Sequence, residues 1–346
     1  MADAVMAVSH VYTRERAQMA SLDKRALLAR AGFFWPRDLV KVFGPLDELA
    51  RVQLTPRKDT LRVLDVGAGL GATSFGLARW LRARALPVSK LHVVALEQNA
   101  TALKGFSSFV RALGELPDEF VPIELEPRAS DLRSTRFSGD FDIVLFGFVL
   151  NELYLELPAA DRIAKRVELL QQASSRLGEG GSIIVLEPAL KDTTRELMQL
   201  RDALAATHAA PFVMAPCLHE RACPMLASER DWCHQELAYA LPKPLADIAK
   251  AASLRYEGLR YASLVLANQP RPHQAPQPLY RIVSDRLVSK GKLELIGCGP
   301  SYQRFTRLDR HESEANEAFG TAQRGAVLAI TGDSARIEQQ SEVTKH

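Results

Sequence analysis

The feature that most constrains the fold is a turn containing three glycines in the stretch LRVLDVGAGLGATSFGLARWL, residues 61–81. An apolar run precedes Gly67, Gly69 and Gly71, and an amphipathic run follows them. Glycine is needed where the backbone turns sharply and a ligand approaches it without an intervening side chain. The stretch therefore predicts a strand, a ligand-binding turn and a helix. The glycine spacing does not identify the ligand, because dinucleotide-binding folds use similar turns.

The same alternation of apolar and amphipathic segments continues along the chain. Short apolar runs are typical of buried strands, and the longer amphipathic runs between them are typical of helices. Strands that alternate with helices predict a mostly parallel sheet with right-handed crossovers, which is a Rossmann-like α/β fold. After the glycine turn, the predicted strands are LHVVALE (91–97), FVPIELE (120–126), FDIVLFGFVL (141–150), GSIIVLEP (181–188) and YASLVLA (261–267).

The segments that flank this core have different patterns. Residues 9–52 carry apolar positions at helical spacing, broken near Pro36 and Pro45, whereas KLELIGC and SYQRFTRLD alternate as antiparallel strands do. A proline-rich loop, residues 269–278, separates the two kinds of pattern. We therefore expect an N-terminal helical extension (1–55), a ligand-binding core (56–210), a cysteine-rich insertion (211–258), a small C-terminal β segment that completes the sheet and the cysteine site (259–333), and a flexible tail (334–346).

An acidic residue before the glycine turn narrows the choice of ligand. Asp65 precedes Val66 and Gly67, and this D-x-G-x-G-x-G pattern resembles motif I of class I S-adenosylmethionine-dependent methyltransferases. An NAD-dependent dehydrogenase, the specific rival, usually has the glycines without the acid. The resemblance implies that Glu97 accepts hydrogen bonds from the ribose hydroxyls and that Asp131 lies against the adenine amine. The other interpretation is that these acids are caps or surface residues of a different nucleotide-binding fold.

Asn151 and Tyr154 follow the predicted fourth strand, in FGFVLNELY. Amino-methylating enzymes of this class often have N-P-P-Y at this place, where polar atoms hold the amine and the aromatic ring stacks on the base. This chain has Asn and Tyr at the same spacing but lacks both prolines. Methyl transfer from a sulfonium needs little beyond in-line positioning, so we predict these two residues as catalytic candidates. A structural role at the start of a helix is the alternative.

Three of the four cysteines lie in APCLHERACPMLASERDWCH, residues 215–234, and the fourth follows a predicted strand. In a reducing compartment such clustering favours metal binding over disulfides. Four thiolates match the ligand count of an iron–sulfur cluster or of a structural zinc ion. The candidate ligands are Cys217, Cys223, Cys233 and Cys298.

These cysteines alone do not decide between a zinc ion and an iron–sulfur cluster. The spacing lacks the C-x-x-C pairs of ordinary zinc ribbons, which weakens the zinc interpretation. His219 or His234 could replace a thiolate around zinc, or could lie beside the ligands without contacting the metal. Four unrelated buried thiols are the remaining interpretation.

The order of the motifs resembles that of the mitochondrial small-ribosomal-subunit methyltransferase-like family, which includes bacterial members. VLNEL follows the fourth strand, LEP ends the fifth, a P-C-x-H…C-P…D-W-C-H segment comes next, and a strand with a lone cysteine precedes Q-R-F, all within about residues 61–307. By position, the resemblance implies that the four cysteines hold a 4Fe–4S cluster, with zinc as second choice. Such a cluster would join the cysteine-rich loop to the C-terminal strands, a structural rather than a redox role.

Cations and aromatic residues interleave in two later segments, a mixture that suits phosphate contacts and base stacking on RNA. The formal net charge of +3, from 44 Lys and Arg against 41 Asp and Glu, permits a polyanionic partner without requiring one. The alternative is a set of strands with one core face and one solvated face. The residues are Arg255, Tyr256, Arg260, Tyr261, Tyr302, Arg304, Phe305, Arg307 and Arg310.

Together these patterns and the resemblance predict an S-adenosylmethionine-dependent methyltransferase that acts on small-subunit ribosomal RNA or in small-subunit assembly. One alternative is an RNA-binding assembly factor that keeps the cofactor pocket with little or no turnover, and another is a zinc-containing methyltransferase of a different substrate. Ribosomal proteins are further candidate partners. No apolar run approaches the roughly 20 residues of a membrane span, and charges occupy the N-terminal segment. We therefore expect a cytoplasmic monomer without a membrane partner.

Overall fold

Two β-sheets, with helices packed around the first, make up the structure. It is a computed structural model that describes residues 1–14, 23–116, 118–271, 277–331 and 335–346. The first sheet contains β1 (Thr60–Val66), β2 (Lys90–Glu97), β3 (Ile123–Ala129), β4 (Phe141–Gly147), β5 (Leu177–Pro188), β6 (Phe212–Ala215), β7 (Gln235–Ala240) and β8 (Glu257–Ala267). The second contains β9 (Leu279–Ile282), β10 (Leu287–Ser289), β11 (Lys292–Cys298), β12 (Tyr302–Leu308), β13 (Val327–Ile330), β14 (Arg336–Ile337) and β15 (Val343–Lys345).

The N-terminal segment is helical and packs against one face of the first sheet. It contains α1 (Ala2–Arg14), α2 (Lys24–Ala29), a π-helical turn (Arg30–Phe34), α3 (Trp35–Leu39), a 3₁₀ turn (Val40–Val42) and α4 (Phe43–Arg51). Pro36 and Pro45 lie in the first turns of α3 and α4, where a missing N–H costs no helical hydrogen bond. The helical segment therefore continues past both prolines. Residues 15–22 of the predicted helical region lie outside the described residues.

The remaining helices are α5 (Ala72–Ala83), α6 (Ala100–Leu113), α7 (Ala159–Ser174), α8 (Lys191–Ala206), α9 (Lys243–Ala251) and α10 (Glu317–Thr321). The first sheet has the strand order β3-β2-β1-β4-β5-β8-β6, with β1 to β5 parallel and β8 antiparallel to its neighbours. This order confirms the predicted Rossmann-like class I methyltransferase fold, a mostly parallel sheet flanked by helices. The order reverses between β1 and β4, so ligands are expected at the carboxyl ends of those strands.

The second sheet is a separate unit with its own core. The sequence had predicted instead that residues 259–333 complete the first sheet. Only the β8 part of that segment joins the first sheet, among the described residues. In the second sheet, β11 pairs antiparallel with β12 and β9. The alternating inward residues of these strands have a different core to fill, which includes Ile282, Leu295, Phe305 and Phe319.

The predicted flexible tail also differs from the structure. Residues 336–337 pair with β12, and residues 343–345 pair with β13. Ile337 and Val343 are buried in the second core, which explains why a mostly polar segment is held in place. Residues 272–276 of the predicted proline-rich loop lie outside the described residues. No helix in the described part of the chain is long and apolar enough to cross a membrane.

Candidate functional site

A cavity of about 400 Å³ lies at the carboxyl ends of β1, β2 and β4, where the strand order predicts a ligand. This volume is within the range of small-molecule sites. The glycine turn, the ends of β2 and β5 and the segment after β4 form its walls, together with residues from the N-terminal helices. Predicted site residues that line it are Gly67, Gly69, Glu97, Asp131 and Asn151.

The three glycines of the turn have left-handed φ angles, but they serve different purposes. A side chain at Gly67 would collide with Val149, and one at Gly71 would collide with the ring of Phe106. At Gly69, with φ of 52°, a Cβ would meet nothing within 4 Å. The first and third glycines are therefore required by packing, whereas Gly69 keeps the cavity open beside the backbone.

Glu97 and Asp131 lie at the cavity with their carboxylates held by backbone amides. Glu97 accepts hydrogen bonds from the amides of Gly69 (3.0 Å) and Asn99 (2.8 Å), and Asp131 accepts one from the amide of Arg133 (3.0 Å). Asn99 also caps α6, because its Oδ1 accepts from the first-turn amides. The carboxylates are thus fixed at the rim, where hydroxyl and amine groups of a ligand can donate to them; their predicted cofactor contacts stay predictions.

Asp65 is buried beneath the turn and is absent from the described cavity lining. Its Oδ2 accepts a hydrogen bond from the hydroxyl of Ser74 at 2.6 Å, which joins the end of β1 to α5. Burial raises the pKa of Asp65 to about 7, while the Ser74 hydrogen bond lowers it and the charge of Glu97 raises it. Asp65 therefore supports the turn from below, and its direct cofactor contact remains a prediction.

The structure separates the two predicted catalytic residues. Asn151 lines the cavity, and its Nδ2 donates to the carbonyl of Phe148 at 3.0 Å. Tyr154 is not among the described lining residues; its ring packs against the core of the opposite sheet face, and its φ is 63°. Without the two prolines the chain forms a 3₁₀ turn over Leu150–Glu152. That turn leaves Asn151 facing the ligand side without Tyr154 beside it.

Sequence patterns did not single out two acids beside Asn151, the half-buried Glu152 and the buried Glu187. Glu152 lines the cavity, and burial raises its pKa to about 7. Glu187, at the end of β5, accepts from the Asn151 backbone amide (3.3 Å) through Oε1, and its buried Oε2 has no hydrogen-bond partner within the described part of the chain. Burial raises the pKa of Glu187 to about 8. The available signal was their position directly after the fourth strand and at the end of the fifth.

The N-terminal helices supply a cavity wall that the sequence did not reveal. Trp35 donates from Nε1 to the carbonyl of Leu70 at 3.0 Å, which fastens α3 to the glycine turn. Lys41 pairs with Asp38 at 2.6 Å and lies 4.9 Å from the ring centroid of Phe148. In sequence these are ordinary helix-surface residues, and only the docking of α3 makes them part of a site.

The four cysteines converge between the first and second sheets. Cys223, Cys233 and Cys298 pack around Met198 with other apolar residues. Burial raises the pKa of the Cys223 thiol to about 11 and that of Cys298 to about 12, and the charge of Cys217 adds to both shifts. Burial also raises the pKa of Cys233 far above its ordinary value, with the other three cysteines as further causes. The thiols are therefore close enough to influence one another.

No group of three or more His, Cys, Asp and Glu side chains in the described residues is arranged to hold a metal ion. The thiols can shift one another's pKa values without being arranged as metal ligands. Charges influence a pKa over distances well beyond the length of a metal–ligand bond. The ligation predicted for Cys217, Cys223, Cys233 and Cys298 thus remains a prediction.

Arginines from several elements hold the backbone of the cysteine-rich loop. Arg195 donates to the carbonyls of Ser228 (2.7 Å) and Asp231 (2.8 Å). Arg281 donates to Pro216 (2.6 Å), and the buried Arg201 donates to the carbonyls of residues 219–221. These bonds satisfy loop carbonyls and place positive charge around the thiols.

Two histidines beside the thiols are neutral. His219 places Nε2 3.3 Å from Sγ of Cys298, and His234 stacks on Trp232 with ring centroids 6.2 Å apart. Burial lowers the pKa of each histidine to about 4, and nearby arginine charges lower it further. Neither ring nitrogen of His234 has a hydrogen-bond partner in the described residues, although both are buried.

The predicted RNA-facing residues do not form one exposed surface. Tyr261, Phe305 and Arg307 are 4%, 1% and 4% exposed. Arg255 and Arg260 are exposed, but both pair with a single carboxylate, Glu236. The alternative interpretation, strands with one core face, is therefore correct for the buried members.

Similarity to known proteins is found among solved structures but not among curated sequences. No sequence among the curated proteins matches the chain. Solved structures that it is similar to include a plantazolicin methyltransferase BpumL in complex with SAH (13% identity, 77% of this chain and 95% of that chain, TM-score 0.42). Two others are an S-adenosylmethionine-dependent methyltransferase from Clostridium acetobutylicum (11%, 97% and 95%, 0.31) and a putative class I methyltransferase from Listeria monocytogenes (11%, 68% and 62%, 0.38).

At such identities and TM-scores, the fold class rests on the strand order of the first sheet itself. Sequence comparison is more decisive for the family. A family model described as mitochondrial small ribosomal subunit Rsm22 matches residues 42–324, which include the glycine turn, Glu97, Asp131, Asn151 and all four cysteines but not the N-terminal wall of the cavity. The chain belongs to the mitochondrial small ribosomal subunit Rsm22 family.

Proposed function

We propose that this protein binds S-adenosylmethionine and transfers its methyl group to RNA of the small ribosomal subunit, or acts during assembly of that subunit. The observation that carries the proposal is the cavity, in which Gly69, Glu97, Asp131 and Asn151 meet at the carboxyl ends of parallel strands. The family is that of a mitochondrial small ribosomal subunit protein, which supports the choice of partner.

The residues of the cavity suit this cofactor, which supplies an activated methyl group when bound. Gly69 leaves room for the ligand beside the turn, and Glu97 offers carboxylate oxygens to its hydroxyl groups. Asn151 is held by its bond to Phe148, so its amide can position an amino or hydroxyl group of the methyl acceptor. Glu152 lines the same cavity, and its pKa, raised to about 7 by burial, suits a group that accepts the proton released on methylation.

For the cysteine site we propose a structural 4Fe–4S cluster held by Cys217, Cys223, Cys233 and Cys298. Four thiols converge there, and buried guanidinium groups nearby would offset the charge of four thiolates. The described residues contain no group of three or more such side chains arranged for either metal. The proposal places iron–sulfur ahead of zinc because the cysteine spacing lacks the C-x-x-C pairs of ordinary zinc ribbons.

Two measurements test these proposals separately. Comparison of methylated nucleosides in small-subunit RNA, with and without the gene, should reveal one modification that depends on the protein. Protein purified without oxygen should carry about four irons and four sulfides per chain and absorb broadly near 400 nm, as the 4Fe–4S stoichiometry requires. One zinc and no colour would replace the cluster with a zinc site.

A second candidate function is an assembly factor that binds the cofactor with little turnover. One observation favours it: Tyr154 is not among the described residues that line the cavity. An unchanged nucleoside profile, together with co-purification of the protein with small subunits, would support this candidate and overturn the enzyme.

A further inference from the structure

Arg37 is a half-buried cation on the cavity wall. Its guanidinium lies 5.0 Å from the ring centroid of Phe33, and its Nε is buried without a hydrogen-bond partner in the described residues. No ion pair joins it to any carboxylate in that part of the chain. Burial lowers the pKa of Arg37, and the charge of Asp38 only partly opposes this effect. A desolvated cation without a partner is costly, so a ligand that supplies an anion would be favoured here.

Three other cations that line the cavity have carboxylates near them, and a fourth, Arg133, is exposed, so solvent screens its charge. Lys41 pairs with Asp38 at 2.6 Å, and Arg260 pairs with Glu236 at 2.9 Å. The charge of Arg30 acts on Glu152. These positive charges are therefore largely balanced within the protein, whereas the charge of Arg37 is left for the ligand.

Packing fixes the helix that carries Arg37. The indole of Trp35 donates to the carbonyl of Leu70, and its ring packs against Phe75 (5.4 Å) and Phe109 (4.9 Å). On the next turn, Leu39 lies so close to Gly76 that a side chain on that glycine would collide with its carbonyl. The backbone that carries Arg37 is thus fixed beside the glycine turn, and its side chain lines the cavity.

Among the described residues, the cavity lining combines one unpaired, half-buried guanidinium with several carboxyl groups, a set of charges that suits one ligand. Glu97, Asp131 and Glu152 offer carboxyl oxygens to hydroxyl and positively charged groups. S-adenosylmethionine carries a sulfonium, an ammonium and one anion, its carboxylate. We propose that Arg37 binds this carboxylate, an inference that rests on the proposed function. A guanidinium can grip a carboxylate through two parallel hydrogen bonds.

The test compares two ligands of the full-length protein by calorimetry: S-adenosylmethionine and its decarboxylated analogue, S-adenosylmethioninamine. Arg37→Met should weaken binding of the first by about 10- to 100-fold, the range expected for charge-assisted hydrogen bonds, and should change binding of the second less than about twofold. Arg37→Lys keeps the charge but not the paired geometry, so it should lose less. Arg57→Met, at an exposed arginine outside the cavity, is the matched control.

Each other outcome contradicts the inference in a distinct way. Equal losses for both ligands in a folded Arg37→Met protein would make Arg37 a structural residue. Unchanged affinity for both ligands, with weaker binding of small-subunit RNA, would assign the guanidinium to an acceptor phosphate. If the wild-type protein binds neither ligand, the proposed function fails together with this inference. If Arg37→Met does not fold, the same comparison with Arg37→Lys decides the question, because equal affinity losses would again overturn it.

Discussion

The cavity and the cysteine site solve opposite electrostatic problems. In the cavity, the carboxylates of Glu97 and Asp131 are already held by backbone amides, so the protein presents acceptors that need no ligand to be satisfied. At the cysteine site, burial and mutual proximity raise the pKa values of Cys223, Cys233 and Cys298, so the thiols are kept protonated in the protein alone. The carboxylates of Glu97 and Asp131 are satisfied before a ligand arrives, and the thiols of the cysteine site are not.

The two sites also differ in the chain segments that build them. The cavity is formed mostly by consecutive strand–turn–helix units of the first sheet. The cysteine site joins a loop beside the first sheet, residues 217–233, to Cys298 on β11 of the second. Damage to one site should therefore leave the other largely intact.

The largest expected effect is loss of the proposed cluster in Cys223→Ser. A serine hydroxyl does not replace a thiolate ligand, so iron content should fall from about four per chain to near zero. The loop should then be cleaved more readily by protease, because the link to β11 is lost. Iron analysis and limited proteolysis test this, with Ser228→Ala on the same loop as control. A soluble Cys223→Ser protein with a protected, metal-free loop would contradict the idea that the cluster joins the two sheets.

Next in size is loss of cofactor binding in Gly69→Asn. Asparagine tolerates the left-handed backbone at this position, so its side chain should fill the cavity with little strain on the fold. Affinity for S-adenosylmethionine should fall at least about 100-fold, as expected when a polar side chain displaces the ligand. Iron content should not change.

Gly180→Asn is a matched control, because Gly180 has φ of 70°, is equally open and lies outside the cavity. Calorimetry should give it wild-type affinity. If Gly69→Asn also lost iron, the two sites would not be independent, and the contrast between them would fail.

The first sheet could be predicted because its signals are local. Each strand is a short apolar run followed by a helical pattern, and the glycine turn shows where a ligand enters. The same rule of strand ends placed Glu97, Asp131 and Asn151 at the cavity. The position of Asp65 was less predictable. This residue is buried under the turn, where the end of β1 meets α5 and its carboxylate accepts from Ser74.

Non-local packing explains what the sequence did not predict. Arg37 becomes a cavity residue only because Trp35 reaches Leu70, 35 residues away, and no periodic pattern encodes that contact. Alternation in β12 predicted a strand correctly but did not say which face is buried; Phe305 and Arg307 lie inside because a second core covers them. The number of thiols, rather than their spacing, suggested Cys298 as the fourth ligand, because it is the only other cysteine in the sequence.

A smaller effect is expected for Arg201→Met, which tests how far arginines support the cysteine-rich loop. Arg201 is 1% exposed, pairs with Asp202 at 2.8 Å and donates to loop carbonyls. Loss of the cation leaves Asp202 without its ion-pair partner and those carbonyls without a hydrogen-bond donor. The free energy of unfolding should therefore fall by about 3–5 kcal/mol. Arg201→Lys should lose less. Urea denaturation measures this, and a change below about 1 kcal/mol, the size of an ordinary surface substitution, would show that the loop does not depend on Arg201.

The smallest effect concerns the pH dependence of stability set by Glu187, on the cavity side of the comparison. Its pKa is about 8 in the folded protein against an ordinary 4.5, because burial outweighs the opposing charge of Arg166. Between these values the folded state keeps a proton that the unfolded state releases, so stability falls as pH rises, by about 1.4 kcal/mol per pH unit for this group. Glu187→Gln removes that contribution, and the stability of this variant should decline less steeply between pH 5 and pH 7.

Glu179→Gln, at an exposed position of the same strand, is the control and should keep the wild-type contribution of Glu187. Urea denaturation at three pH values measures both variants. Equal slopes for Glu187→Gln and wild type would mean that Glu187 is ionised in the folded protein, and the cavity would then hold a buried charge, as the cysteine site does once its thiols ionise.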